Sequence, residues 1–100
     1  MNPVVFHDLA YRELAAAAVR CERERLGAGA RLMNEVDGAV VRIAATPRQG
    51  SPYLYGTRRY VLTRFPYSTV YLALDASGYV VAVAHHRRRP GYWRRRLKGA

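Results

Sequence analysis

Cysteine, lysine and histidine are scarce in this sequence of 100 residues. Cys21 is the only cysteine, Lys98 is the only lysine, and the histidines are His7, His85 and His86. A single cysteine excludes a disulfide bond within the chain, which fits a reducing compartment such as the cytoplasm. Adjacent histidines in a strand point to opposite faces and Cys21 is distant in sequence, so we expect no metal site.

Long apolar runs and common catalytic motifs are also missing. No run approaches the roughly 20 apolar residues that span a bilayer, and residues 1–6 lack the basic and apolar regions of a signal peptide. We therefore expect a cytoplasmic protein that does not contact a membrane. The sequence has no glycine-rich phosphate motif, no Ser-His-Asp order and no paired carboxylates, so we expect no cofactor.

The positive charge of the chain is confined to its second half. Residues 1–47 carry six arginines and six acids, whereas residues 48–100 carry ten arginines and Lys98 against Asp75 alone. The net charge of +10 therefore belongs to the second half, which predicts an acidic or polyanionic partner for it. The alternative is that a basic surface merely keeps a small protein soluble.

The first half predicts a short strand followed by a helical hairpin. Residues 4–6 form an apolar run, Asp8 can cap a helix that extends to about Leu26, and residues 27–29 break it. Pro47 ends the second helix. Apolar residues at helical spacing are Leu14, Ala15, Ala18 and Val19 in the first helix and Leu32, Met33, Val36, Val40, Ile43 and Ala44 in the second.

The second half predicts three strands, at residues 59–64, 67–74 and 79–85, with a tight turn at residues 75–78. The result is one α+β domain over residues 1–100: a strand, a helical hairpin, a three-stranded antiparallel meander and a basic tail from about residue 87. The helices are expected on one face of the sheet, with Val36 and Val40 opposite Val70 and Leu72.

Residues 85–93 form the densest group of chemically active side chains, since two histidines, three arginines, a tyrosine and a tryptophan lie within nine residues. RNA cleavage without a metal needs a base, a positive group and an acid, and His86, Arg87 and Tyr92 could fill those roles. Alternatively, Arg87, Arg88, Arg89 and Trp93 bind a target, or the segment is a solvated tail in which Trp93 caps the core.

Arg58, Arg59 and Arg64 form a second basic group on the strand before the meander turn. Alternation places Arg58 and Arg64 on one face and Arg59 on the other. We expect these arginines to contribute to target binding, while the alternative is a sheet edge that charge protects from association.

Two segments of the second half resemble one known family. Residues 64–71 read Arg-Phe-Pro-Tyr-Ser-Thr-Val-Tyr, and residues 81–93 form a strand that continues into His-His-Arg-Arg-Arg-Pro-Gly-Tyr-Trp. This pair resembles the C-terminal signature of the RelE/ParE superfamily of type II toxin–antitoxin toxins, which includes plasmid stabilisation proteins. The upstream strand, hairpin and Ala44–Pro47 segment match the layout of that family over almost the whole chain.

The resemblance implies a growth-inhibiting toxin that a cognate antitoxin wraps around, and a target that is either DNA gyrase or ribosome-bound mRNA. Members of the ribonuclease branch carry lysines on the first meander strand, where Arg58, Arg59 and Tyr60 stand here, and an arginine where Ser68 stands. These departures favour the ParE-like branch and a non-enzymatic gyrase inhibitor.

Two further functions stay open at this point. His86, Arg87 and Tyr92 keep a RelE-like, ribosome-dependent mRNA endoribonuclease as the alternative to gyrase inhibition. A nucleic-acid-binding module, or a member that retains only antitoxin binding, is the third. For any of them, the basic half predicts an antitoxin segment that is acidic and amphipathic.

Overall fold

The computed structural model describes residues 4–75 and 77–99 and has the predicted α+β architecture. A short 3-10 helix, Arg94–Gly99, follows the last strand. The strands are β1 (Val5–Phe6), β2 (Ser51–Pro52), β3 (Arg58–Val61), β4 (Tyr67–Leu74) and β5 (Ser77–His85), and the α-helices are α1 (Asp8–Glu24) and α2 (Ala28–Ala45). None of the described helices is long and apolar enough to cross a membrane.

The five strands form one sheet in the order β1-β5-β4-β3-β2. Strands β3, β4 and β5 are the predicted antiparallel meander. The sequence did not indicate the two outer pairings: β1 lies parallel to β5, and β2 lies antiparallel to β3. Both outer strands have only two residues. Much of the outer edges of β5 and β3 must therefore be covered by groups other than a paired strand.

The caps of the helical hairpin differ from the sequence-based prediction. His7 caps α1, because its Nδ1 accepts a hydrogen bond from the Leu9 amide at 3.0 Å. Asp8 was expected in that role, but it is already the first helical residue and pairs with Arg12 at 3.2 Å. Gly27 makes the turn between the helices with φ of 85°, a conformation that glycine adopts without steric cost.

One core lies between the hairpin and the sheet. The sequence predicted an apolar side of α2 that faces the core. This prediction is confirmed for Leu32, Val36 and Ile43, which are fully buried. The predicted stripe of α1 is wrong in part, since Ala15 and Val19 are exposed. The buried side of α1 consists of Ala10, Leu14, Ala17 and Cys21. Alanine fits on either side of a helix, so the many alanines here do not mark which side packs.

A second, smaller core lies on the face of the sheet that the helices leave free. Val70 packs there with Val81, Ala82 and Trp93. The expectation that Val70 faces α2 is therefore wrong, and Tyr71 takes that position. Residues after the last strand cover the second face, so apolar side chains on either face of β4 can be buried.

A β-bulge shapes this second face. Val70 pairs with Ala82 and Tyr71 with Val80, so Val81 is the extra residue of β5. A bulge lets two consecutive side chains point to the same side of a strand. Val81 and Ala82 accordingly both contact the core around Trp93.

The core on the helix side can be tested with two valines of α2. Val36 is fully buried, whereas Val41 is 66% exposed. An unpaired buried charge costs several kcal/mol out of a total of roughly 5–15 kcal/mol, so Val36→Asp should abolish cooperative thermal unfolding. The control, Val41→Asp, should melt within a few degrees of the wild type. A cooperative melt of Val36→Asp near the wild-type temperature would contradict this packing.

Candidate functional site

The segment after β5 turns back over the helix-free face and fixes the basic residues there. Trp93 is 1% exposed and packs against the rings of Tyr53 and Tyr55, at centroid distances of 6.0 and 5.9 Å. Two positions were expected for Trp93: in contact with a target, or as a cap on the core. The buried indole has the second position and supports the surface above it.

Glu13 of α1 is the centre of this arrangement. Its carboxylate accepts hydrogen bonds from both terminal nitrogens of Arg96, at 2.9 and 3.0 Å, and from the Tyr92 hydroxyl at 2.6 Å. It also accepts from the backbone amide of Val83 and lies 3.4 Å from Arg88. The side chains of Glu13 and Arg96 are only 16% and 13% exposed. Removing one partner of such a bidentate, enclosed pair costs more than breaking a surface ion pair, because the other charge is left buried without compensation.

The hydroxyl of Tyr92 is therefore part of the contacts that hold the segment after β5 in place. Burial, followed by the hydrogen bond to Glu13 and its negative charge, raises the pKa of the phenol far above its ordinary value. The guanidinium of Arg88 stacks on its ring at 3.6 Å from the centroid. A phenol that already donates to a carboxylate is poorly suited to protonate a leaving group.

The three residues proposed for RNA cleavage do not converge. Nε2 of His86 lies 2.9 Å from the hydroxyl of Ser68 on the helix-free face, whereas Arg87 lines a groove on the helix side. Tyr92 lines the same cavity as His86, but its hydroxyl is bound to Glu13. The structure thus brings together His86 and Tyr92 without Arg87.

The side chain of His85 contacts other residues of the protein through both its ring and its Nδ1 atom. Its ring meets that of Tyr67 edge to face at 5.0 Å, and its Nδ1 accepts a hydrogen bond from the Arg87 amide at 3.0 Å. Burial, and then the positive charge of Arg20, lowers the pKa of His85. A neutral His85 with this bond orders the start of the arginine run.

The arginines that we expected to bind a target fall into two groups. Three of them hold protein contacts: Arg58 donates to the backbone carbonyl oxygens of Arg48 and Gly50, Arg59 stacks on Tyr53, and Arg88 contacts Glu13 and Tyr92. The other three, Arg64, Arg87 and Arg89, have exposed side chains. The second group is therefore free to contact a partner.

An open groove of about 710 Å³ runs between α1 and the ends of β4 and β5. Its floor includes the apolar side chains of Ala17, Cys21, Phe65 and Val83. Its rim is mostly positive, with Arg20, Arg25, Arg64, Arg87 and Arg88 against Glu13 and Glu24. The groove suits a segment with one apolar side and acidic flanks.

Sequence reasoning missed Glu13, Arg96 and Ser68. An acid one residue before buried Leu14, in a helix otherwise rich in alanine, was the available signal for Glu13. The partner of Glu13, Arg96, lies 83 residues away in a run of three arginines, and nothing in that run distinguishes it. Among residues 4–75 and 77–99, no three His, Cys, Asp or Glu side chains are grouped so that they could hold a metal.

A helical hairpin on one face of a mostly antiparallel sheet, followed by an arginine-rich segment that closes the other face, has the architecture expected of RelE/ParE-type toxins. A family model described as the ParE toxin of the type II toxin–antitoxin system parDE matches residues 4–90, and the chain belongs to this family. It is the toxin component of such a module, and membership implies a cognate antitoxin.

A solved structure supports the fold. A chain from the chromosomal ParDE toxin–antitoxin system of P. aeruginosa superposes with a TM-score of 0.66 at 15% sequence identity, covering 85% of this chain and 96% of that chain. The curated proteins contain no match to the sequence.

The Glu13 network makes a stability prediction. Glu13→Gln leaves Arg96 without its charged partner, and breaking an enclosed pair costs on the order of 3 kcal/mol or more. Urea unfolding should show this loss. Glu24→Gln, an exposed carboxylate on the same helix, is the matched control and should change the unfolding free energy by less than about 0.5 kcal/mol.

Phenolate absorbance gives this variant an independent readout. The raised pKa of folded Tyr92 means that the unfolded chain loses this proton first, so its contribution to stability is complete below about pH 10 and is lost as the pH rises further. In Glu13→Gln the ionisation of Tyr92 should shift to lower pH. Unchanged stability together with an unchanged titration would refute the role of Glu13.

Proposed function

We propose that this toxin arrests growth by binding DNA gyrase, as a ParE-like inhibitor that performs no chemistry. The observation that carries the proposal is the separation of the arginines into fixed and free groups. Arg87 and Arg89 leave the end of β5 with exposed side chains, while Tyr92 and Arg88 are held by Glu13 beneath them. A rigid base that presents free guanidinium groups is suited to bind acidic or phosphate groups on a large target.

The ribonuclease alternative has less support. It requires a base, a positive group and an acid within reach of one phosphate. Tyr92 donates to Glu13 at 2.6 Å, and Arg87 lines the groove on the opposite side from His86. A binding inhibitor needs none of these groups to converge.

The cognate antitoxin is proposed to place an acidic, amphipathic segment in the groove beside α1. The apolar floor around Ala17, Phe65 and Val83 would bury the apolar side of the segment, and the arginines of the rim would pair with its acids. Burial of apolar side chains provides affinity that salt does not screen, while the charges accelerate association.

The target can be tested by charge reversal at Arg87 and Arg89. Each variant, Arg87→Glu and Arg89→Glu, should raise the toxin concentration needed to inhibit gyrase supercoiling by about tenfold, because a lost charged contact is worth roughly 1.5–3 kcal/mol. Growth inhibition in cells should weaken in parallel. Arg23→Glu on the outer side of α1 is the control and should inhibit as the wild type does.

A translating-ribosome assay with the same proteins separates the two mechanisms. Under the gyrase proposal, wild-type toxin leaves the mRNA intact, and His86→Ala retains most of the toxicity. Cuts in the mRNA at codon positions, with supercoiling unaffected, would show that the target is the ribosome.

The antitoxin groove is testable with two neighbouring alanines. Ala16 lines the groove, whereas Ala15 is exposed outside it. Ala16→Glu should weaken the complex with the coexpressed cognate antitoxin by tenfold or more, because it adds bulk and negative charge against an acidic segment. Ala15→Glu should have little effect. The wild-type complex should survive about 0.3 M salt; dissociation there would mean that charge alone holds it.

A further inference from the structure

The outer side of α1 has an exposed apolar ridge that belongs neither to the core nor to the groove proposed for the antitoxin. Tyr11, Ala15 and Val19 are all exposed and recur every four residues, so they lie in one row along the helix. Tyr11 is 63% exposed and Val19 is 52% exposed. The ring of Tyr11 is supported from below by the ring of Phe6, at a centroid distance of 6.4 Å.

Helix α2 has a second exposed ridge next to the first. Met33, Asp37 and Val41 are exposed and also recur every four residues. The helices approach most closely at Gly29, where a Cβ atom would lie 2.7 Å from the carbonyl oxygen of Ala18. Met33 follows Gly29 by one turn, and Ala18 directly precedes the residue of the first ridge at position 19. The two ridges therefore flank the line along which the helices meet, on the side that faces away from the sheet.

Most charged groups near the ridges already have a partner within the chain. Arg12 pairs with Asp8 at 3.2 Å. The carboxylate of Glu22 accepts hydrogen bonds from the amides of Gly27 and Gly29, at 2.9 and 3.0 Å. These groups need no further partner.

Arg23 and Asp37 differ in this respect. Arg23 continues the ridge of α1 one turn after Val19, and Asp37 is the middle residue of the ridge on α2. Neither forms an ion pair within residues 4–75 and 77–99. Each is thus an exposed charge on an otherwise apolar surface.

The two charges lie at different levels along the hairpin. Gly29 lies against Glu22, the neighbour of Arg23, so Arg23 is near the turn between the helices. Asp37 is eight residues further along α2, which is about 12 Å towards the start of α1. The surface is therefore positive near the turn and negative away from it. A surface of this kind is complementary to a second copy of itself that is turned end for end.

We propose that two copies of the chain pack hairpin against hairpin about a two-fold axis, with Arg23 of each copy paired with Asp37 of the other. The apolar ridges lie between the two copies. A second copy suits this surface better than an acidic segment does, because residues 8–45 carry six arginines and six acids and are neutral. The basic second half of each copy supplies most of the sheet, on the far side of its own hairpin, so the two positive regions stay apart.

The size of the surface predicts a weak dimer. A hairpin of this length is about 26 Å long and about 20 Å wide, so it offers roughly 500 Å² per copy. The total of about 1,000 Å² is at the lower limit for a specific interface. We therefore expect a dimer that dissociates on dilution, with a dissociation constant in the micromolar range.

The pairing can be tested by exchanging the two charges. Full-length toxin, separated from its antitoxin, should show a monomer–dimer equilibrium in sedimentation equilibrium runs over a wide range of concentration. Arg23→Glu and Asp37→Arg should each weaken the dimer by about tenfold or more, because each change places like charges together twice across the axis. The double variant has the wild-type net charge and should recover most of the affinity. Arg25→Glu, the same change in a residue that lines the groove instead, is the control and should dimerise as the wild type.

The outcomes separate a second copy from other partners. Loss in both single variants with recovery in the double variant supports the proposal, and the recovery also shows that the substitutions leave the fold intact. A wild-type toxin that is monomeric at every concentration would overturn it. So would a dimer that none of the charge variants changes, or one that Arg25→Glu weakens equally.

The antitoxin is the other possible occupant of the ridges. If the wild type is monomeric and Ala15→Glu weakens the antitoxin complex, the ridge of α1 binds the antitoxin and the proposed dimer is wrong. The readout in each case is the state of assembly, so no outcome depends on whether the toxin inhibits gyrase.

Discussion

The carboxylate of Glu13 is the contact on which the helix-free face depends. It extends from α1 past the edge of β5, where it accepts the amide of Val83 and binds Arg96. Arg96 in turn donates to the carbonyl oxygen of Val81 at 2.9 Å. The edge of β5 beyond the short β1 is therefore covered by side chains of one ion pair. An uncovered edge would be a site for pairing with other chains, so this ion pair replaces the missing part of β1.

The same ion pair positions the segment that follows β5. Tyr92 and Arg96 are tied to Glu13 on one side, and Trp93 is packed between Tyr53 and Tyr55 on the other. Gly91 makes the approach possible, since it has φ of 82° and a side chain there would press against Tyr55. The loop that contains the arginines is thus fixed at its C-terminal side. Its positive charges stay close together, whereas in a mobile tail they could move apart. Mutual repulsion of these charges is a cost that an acidic or phosphate partner relieves.

The elements of the fold were predictable because they depend on local patterns. Strand β4 was found with its observed bounds from alternating Tyr, Thr and Val, and glycine and proline marked the ends of the helices. The face of Val70 was not predictable in this way, because alternation gives two faces and does not say which one the helices cover. Trp93 illustrates the same limit at the site: an aromatic residue in a basic run can be an anchor or a core residue. Glu13 and Arg96 are 83 residues apart in the sequence. A contact between such distant residues produces no repeating pattern of residue types, so it could not be predicted from the sequence.

The loop of residues 86–89 separates two surfaces that the sequence could not distinguish. Arg87 lines the groove on the helix side, Arg89 lines a cavity on the other, and Arg88 lines both while Glu13 holds it between them. A segment seated in the groove, as proposed for the antitoxin, would cover Arg87 directly. It would also compete for Arg88, whose 3.4 Å contact with Glu13 is the longest in that network. Neutralisation would then require no change in the fold. The antitoxin would cover Arg87, one of the two arginines proposed to bind gyrase, and the toxin would regain activity once the segment is removed.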